Sequence, residues 1–118
     1  MVDRTMRLTE SWEIQQVRSR GRTAASGPLV ARVMPNQTNP ARNRYTVITG
    51  KRVGKAHERN RCKRLVREAI RLLDPSVQQG FDLVISVRGN VQELSGLDVA
   101  MQAMNEIVRK VRLQVMPE

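Results

Sequence analysis

The sequence predicts an α+β fold, a single-domain sandwich over residues 1–118 with the element order α-β-β-β-α-β-α. Three observations predict it. Two stretches, from Glu58 to Leu73 and from Ser95 to Val111, repeat their apolar residues with the period of a helix. Three shorter stretches, 29–34, 44–49 and 81–87, are β-branched or alternate in polarity, as strands do. The length of 118 residues suits one domain, and no internal repeat or composition shift divides it.

Taken in order, Thr9 is placed to cap a first helix running to about Arg20, with Gly21 as its stop. Trp12, Ile14 and Val17 give this helix a thin apolar stripe. Residues 22–25 read as a short strand before a turn at Ser26-Gly27-Pro28. The strand at 29–34 turns Leu29, Ala31 and Val33 to one face and Val30, Arg32 and Met34 to the other. Residues 35–43 have loop composition and are expected to join it to an antiparallel strand at 44–49. Gly50 to His57 reads as a basic loop, and the helix after it stops at Asp74-Pro75. Phe81, Leu83, Ile85 and Val87 share one face of the strand at 81–87. Ser95, with Asp98 three residues on, is placed to cap the last helix, whose stripe is Leu97, Ala100, Met101, Met104, Ile107, Val108 and Val111. Helices are expected to cover one sheet face and to leave the other open as a cleft for an extended single strand.

Composition narrows the partners. Hydrophobic residues make up 40% and aromatics 3%, so the core is aliphatic. A net charge of +10 calls for a polyanion: RNA, DNA or an anionic membrane. No apolar run approaches the ~20 residues that span a bilayer, and the first seven residues lack the apolar centre of a signal peptide. Cys62 is the sole cysteine, which excludes an internal disulfide and fits a reducing cytoplasm.

The charge is concentrated between Lys51 and Arg71, where nine Lys or Arg residues stand against Glu58 and Glu68. At about 100° per residue, Cys62, Leu65, Val66, Ala69 and Leu73 share one side of the helix. Asn60, Lys63, Arg64, Arg67 and Arg71 share the other, with Arg59 and Arg61 on the flanks. Like charges four residues apart repel by a few tenths of a kcal/mol per pair. A polyanion laid along that face relieves the repulsion. Such a face, fed by Lys51, Arg52 and Lys55 in the preceding loop, is a nucleic-acid-binding pattern.

Catalytic groups are scarce. One histidine, His57, and one cysteine do not make a zinc site. The carboxylates show no paired spacing for two-metal chemistry, and Lys51-Arg52-Val53-Gly54-Lys55 is not a phosphate loop. The polypeptide alone is not expected to be a catalyst.

The run Lys51-Arg52-Val53-Gly54, Arg59-Asn60-Arg61, Lys63-Arg64-Leu65 and Arg67-Glu68-Ala69 resembles the signature of the bacterial ribonuclease P protein subunit. Weaker similarity reaches Gln15, Val17 and Gly21, then Arg44, then Phe81-Asp82 to Val87. The resemblance implies a protein that binds a catalytic RNA and the 5′ leader of precursor tRNA. The RNA, using Mg2+ that it mainly binds itself, removes the leader. No membrane and no obligatory protein partner is implied. It further implies a left-handed β-α-β crossover around the Arg-Asn-Arg helix, against the usual right-handed rule. The RNA-binding set is then Lys51, Arg52, Lys55, Arg59, Asn60, Arg61, Lys63, Arg64, Arg67 and Arg71; the leader cleft is Ile14, Val17, Arg18, Leu29, Arg32 and Arg44.

The chain departs from the family in places. Ile14, Arg18 and Leu29 stand where the family often carries aromatics, so leader binding is expected to rest on charge and aliphatic contact. Ile48-Thr49-Gly50 replaces the family's Ser-Val-Ser, and His57-Glu58 follows Ala56 where apolar residues are usual. Three other readings stay open on charge alone: a ribosomal or other structural RNA-binding protein, a helix-turn-helix DNA-binding module, and a free-standing nuclease.

Overall fold

The computed structural model describes residues 6–113. Their elements are α1 (Ser11–Arg20), β1 (Arg22–Ser26), β2 (Leu29–Pro35), β3 (Arg44–Thr49), α2 (Ala56–Leu73), β4 (Phe81–Val87) and α3 (Leu97–Lys110). This is the α-β-β-β-α-β-α order expected of an α+β domain. Single 3-10 turns at Lys51–Val53, Asp74–Ser76 and Val91–Glu93 join them.

The four strands form one sheet in the order β1-β2-β4-β3. β1 and β2 are a hairpin whose two-residue turn, Gly27-Pro28, has Gly27 at φ 52°, a left-handed value that glycine adopts without a Cβ penalty. β2 runs antiparallel to β4, and β3 runs parallel to β4. The loop after β2 thus joins it to a strand of opposite direction, as expected, though the two are not neighbours in the sheet. They run in opposite directions, but β4 lies between them. The reason is in β4 itself. Leu83, Val84 and Ile85 are buried in succession, so both faces are covered and the strand belongs at the centre. Asn36 donates its backbone N–H to Gly80 at 2.8 Å, which seals the loop across the end of β4.

α2 and α3 cover one face of the sheet. Leu29, Ala31, Val33, Leu83, Ile85 and Val87 meet Cys62, Val66, Ala69, Ile70, Ala100, Met104 and Ile107 in one aliphatic core. Burying each such side chain contributes about 1.5–3 kcal/mol. The opposite face is not open along its length. α1 packs on it through Val17, with Leu8, Val84, Ile14, Met34 and Ile48 in a second cluster. The sheet is thus the middle of three layers.

Two helix starts also differ from expectation. Thr9 does not cap α1, because Leu8 is buried and donates its N–H to the Tyr45 carbonyl at 2.8 Å. That bond keeps the chain extended through Glu10, the residue before the helix. Ser95 does not cap α3; Gly96 holds that place, and the Ser95 carbonyl accepts from Arg61. At the other end of α1, Gly21 is needed for space. A Cβ there would lie 2.5 Å from the Val17 carbonyl oxygen and 3.0 Å from the Val33 nitrogen.

A buried polar knot ties the β3-α2-β4 unit together. Asn43, fully buried, donates from Nδ2 to Asp74 Oδ1 (3.2 Å) and the Gln78 carbonyl (2.9 Å), and accepts from the Phe81 N–H at 3.0 Å. Tyr45 donates its hydroxyl to Asp74 Oδ1 at 2.6 Å. The end of α2 and the starts of β3 and β4 are fixed to one another by these bonds.

Candidate nucleic-acid interface

The basic surface is built on α2 and the turn before it. Val53 is buried and roots the 3-10 turn, which leaves Lys51 and Arg52 exposed. α2 begins at Ala56, two residues before the start expected at Glu58, so Ala56 and His57 are helical. Glu58 Oε1 accepts the Lys55 backbone N–H at 3.0 Å and satisfies one free donor of the first turn. Burial of Cys62, Val66, Ala69 and Ile70 fixes the rotation of the helix. Ile70 belongs to this stripe and was not assigned to it from the wheel; Leu65 and Leu73 are only partly buried.

The rotation turns Asn60, Arg64, Arg67 and Arg71 to the exterior, with Arg59 and Lys63 half-buried at its edges; Lys55, the residue before the helix, is also exposed. None of Lys51, Arg52, Lys55, Arg59, Lys63, Arg64 and Arg67 has an acidic partner within 4.0 Å among the described residues. Two members of the set are spoken for. Arg61 donates to the Leu94 carbonyl at 3.3 Å and the Ser95 carbonyl at 2.7 Å, tying α2 to the segment before α3. Arg71 pairs with Glu68 one turn back at 2.5 Å, which holds the Glu68 carboxyl below and the Arg71 guanidinium above its ordinary value. Arg7, not foreseen, stands beside Arg64 and Arg67 at the β3 edge and bridges to Tyr45.

The proposed leader residues do not come together as a set. Leu29 is wholly buried in the core under α2 and α3, on the face away from α1, because its register places it with Ala31 and Val33. It cannot line a cleft under α1. Val17 is also buried and serves to seat α1 on the sheet. Ile14 is half-buried beside it. Arg18 is exposed, and Arg32 donates from Nη1 to the Arg18 carbonyl. Arg44 stands apart, held by Asp82 through Nε and Nη2 at 2.8 Å each and by Glu13 at 2.6 Å. The Asp82 bonds raise its pKa, burial opposes them, and Glu13 adds to the rise.

Between the first half of α1 and the ends of β2 and β4 lies a groove of about 470 Å³. Trp12, Gln16, Met34, Gln37 and the Glu13–Arg44–Asp82 cluster line it. Trp12 was expected on the apolar stripe of α1. It lies about 140° from Val17 around the helix and is 66% exposed. Its angular offset from Val17 was the available signal.

No group of three or more His, Cys, Asp or Glu able to hold a metal occurs among the described residues. No helix among them is long and apolar enough to cross a membrane. Cys62 is buried, and burial pushes its thiol pKa up.

Comparison with known proteins gives this geometry its relatives. Residues 2–112 match the family model described as Ribonuclease P. A ribonuclease P protein component from Chloroflexus aggregans is 44% identical over 85 residues, covering 72% of this chain and 62% of that one. One from Caldanaerobacter subterraneus is 33% identical over 96% of this chain and 95% of its own. The fold superposes on the RNase P protein of Staphylococcus aureus with a TM-score of 0.77 at 16% identity, covering 93% and 98% of the two chains. It superposes on that of Thermotoga maritima with a TM-score of 0.75 at 22% identity, over 88% and 96%. With a family model spanning nearly all of its length and a relative aligned end to end, the chain belongs to the ribonuclease P protein family.

Proposed function

We propose that this protein is the protein subunit of a ribonuclease P ribonucleoprotein. It binds the catalytic RNA through α2 and the turn before it, and it holds the 5′ leader of precursor tRNA beside α1. The RNA breaks the bond, with Mg2+ that the RNA mainly binds. The observation that carries the reading is the pair Arg64 and Arg67, exposed on one face of α2 with no acidic partner among the described residues. Lys51, Arg52 and Lys55, exposed just before the helix, extend the cationic surface.

Arginine suits such a surface because its planar fork binds phosphate in two places and also stacks. Lys55, at the cap of α2, and Arg59, in its first turn, stand where the helix dipole is already positive. That placement is unfavourable within the protein and favourable beneath a phosphate backbone. Asn60, exposed and lacking a side-chain partner among the described residues, can donate and accept at once, as a base edge or 2′-hydroxyl requires.

Binding to ribonuclease P RNA over a salt series tests the reading. Six phosphate contacts give a slope of log affinity against log salt of roughly −4 to −5. Replacing Arg64 and Arg67 by alanine is expected to flatten that slope by between one and two. A wild-type slope near −1 would contradict an extensive phosphate interface and favour a structural protein that touches RNA elsewhere.

A further inference from the structure

We propose that Arg61 is a positioning residue for the RNA interface: it braces the start of α2 against the segment before α3 and leaves phosphate contact to its neighbours. This rests on the reading of α2 as the RNA-binding helix.

The start of α2 has no other side-chain hold on the body of the protein. Val53, in the turn before the helix, is buried, and so is Cys62. Between them, no residue from Gly54 to Arg61 is buried. The bond from the Lys55 N–H to Glu58 stays within the first turn. Among the described residues, Arg61 is the only side chain of this stretch that hydrogen-bonds to another element. Yet the stretch carries Lys55, Arg59 and Asn60, all members of the proposed RNA-binding set. A segment with few buried contacts opens at low cost. A helix start that opens presents those groups in many directions, and RNA must then order them at a cost in affinity.

The brace itself is well seated. Nη1 donates to the Leu94 carbonyl at 3.3 Å and Nη2 to the Ser95 carbonyl at 2.7 Å. Leu94 is wholly buried, and the 3-10 turn before it is held by the reciprocal bonds of Asn90 and Glu93. Neither carbonyl has a backbone donor among the described residues, so Arg61 satisfies two acceptors that the start of α3 leaves over. A planar fork reaches two successive carbonyls, which a single ammonium cannot do in the same geometry. Arg61 also lies about 100° around the helix from Asn60, on the flank of the exposed face. A phosphate that took either Nη group would break a brace bond and release the helix start.

The test is binding to ribonuclease P RNA by proteins shown to be folded by circular dichroism. Ser95 is exposed, so water can replace the lost bond there and the fold is expected to survive. Arg61→Ala and Arg61→Lys are each expected to weaken binding by roughly tenfold, although lysine keeps the charge. In a background of Lys55→Ala, Arg59→Ala and Asn60→Ala, Arg61→Ala is expected to cost nothing further, because the groups it positions are gone. In a background of Arg64→Ala and Arg67→Ala, which stand on the buried part of the helix, it is expected to cost its full tenfold. Hydrogen exchange at the amides of Arg59 to Lys63 in the free protein is expected to be faster in both Arg61 variants.

Wild-type binding by Arg61→Lys, or an undiminished cost of Arg61→Ala in the first background, would overturn the positioning role and make Arg61 a phosphate contact. Full affinity in Arg61→Ala, or exchange no faster than in wild type, would overturn it by showing that the brace holds nothing. Wild-type binding by the Arg64→Ala, Arg67→Ala protein would overturn the reading of α2 itself, and this proposal with it.

Discussion

Single side chains decide which cations are available. Arg44 and Arg67 look alike in the sequence, yet one is held between two carboxylates and the other has no acidic partner among the described residues. The difference is Asp82, a buried carboxylate whose partners are Arg44 and Asn36. Arg44→Ala leaves that carboxylate with the amide alone and is expected to cost about 3 kcal/mol in urea unfolding. Glu13→Gln removes a more exposed ion pair and should cost under about 1 kcal/mol. Tyr45 gives a second, independent reading of the fold. Burial raises its phenol well above the ordinary value of 10.0, and its hydrogen bond to Asp74 adds to the rise. A raised folded pKa means stability that is fully present below pH 10.0 and is lost as pH climbs above it. As the chain's only tyrosine, Tyr45 should show no phenolate absorbance until the chain unfolds in alkali, and a normal reversible titration near pH 10.0 would contradict its burial.

At the scale of elements, periodicity made most of the architecture legible. The stripes of α2 and α3 and the alternation of β2 appear in the structure nearly as the sequence implies, because each buries one face and the buried positions recur at a fixed interval. Order within the sheet was less legible. That β4 inserts between β2 and β3 depends on long-range pairing, for which the continuous run Leu83-Val84-Ile85 was the only local sign. Helix starts were misplaced where tertiary bonds overrode capping, as Tyr45 does before α1 and Arg61 before α3. The exposure of the cationic face was legible, since it is the complement of the apolar stripe. The burial of Leu29 was not, because that residue was carried over by likeness and its register places it in the core. Gly21 tests the junction of α1 and β1. Gly21→Ala puts a methyl 2.5 Å from the Val17 oxygen and should cost about 1–3 kcal/mol of stability, read as a lower thermal midpoint. A neutral substitution would show that α1 is not seated as described.

For the whole molecule, the sheet and three helices hold two unlike surfaces in a fixed relation. One is the cationic face of α2, suited to a folded RNA. The other is the groove beside α1, where Arg44 faces the two carboxylates of Glu13 and Asp82. The central claim, that the α2 face grips a ribozyme which does the bond-breaking, is tested most directly by leader cleavage at low Mg2+. Ribonuclease P RNA and precursor tRNA are mixed with wild-type protein or with the triple variant Lys63→Glu, Arg64→Glu, Arg67→Glu. Circular dichroism serves to show that the variant is folded. Wild type is expected to restore cleavage that the RNA alone cannot perform at that Mg2+ level, and the folded triple variant to restore none. Equal rescue by the two proteins, or no rescue by wild type, would contradict the account.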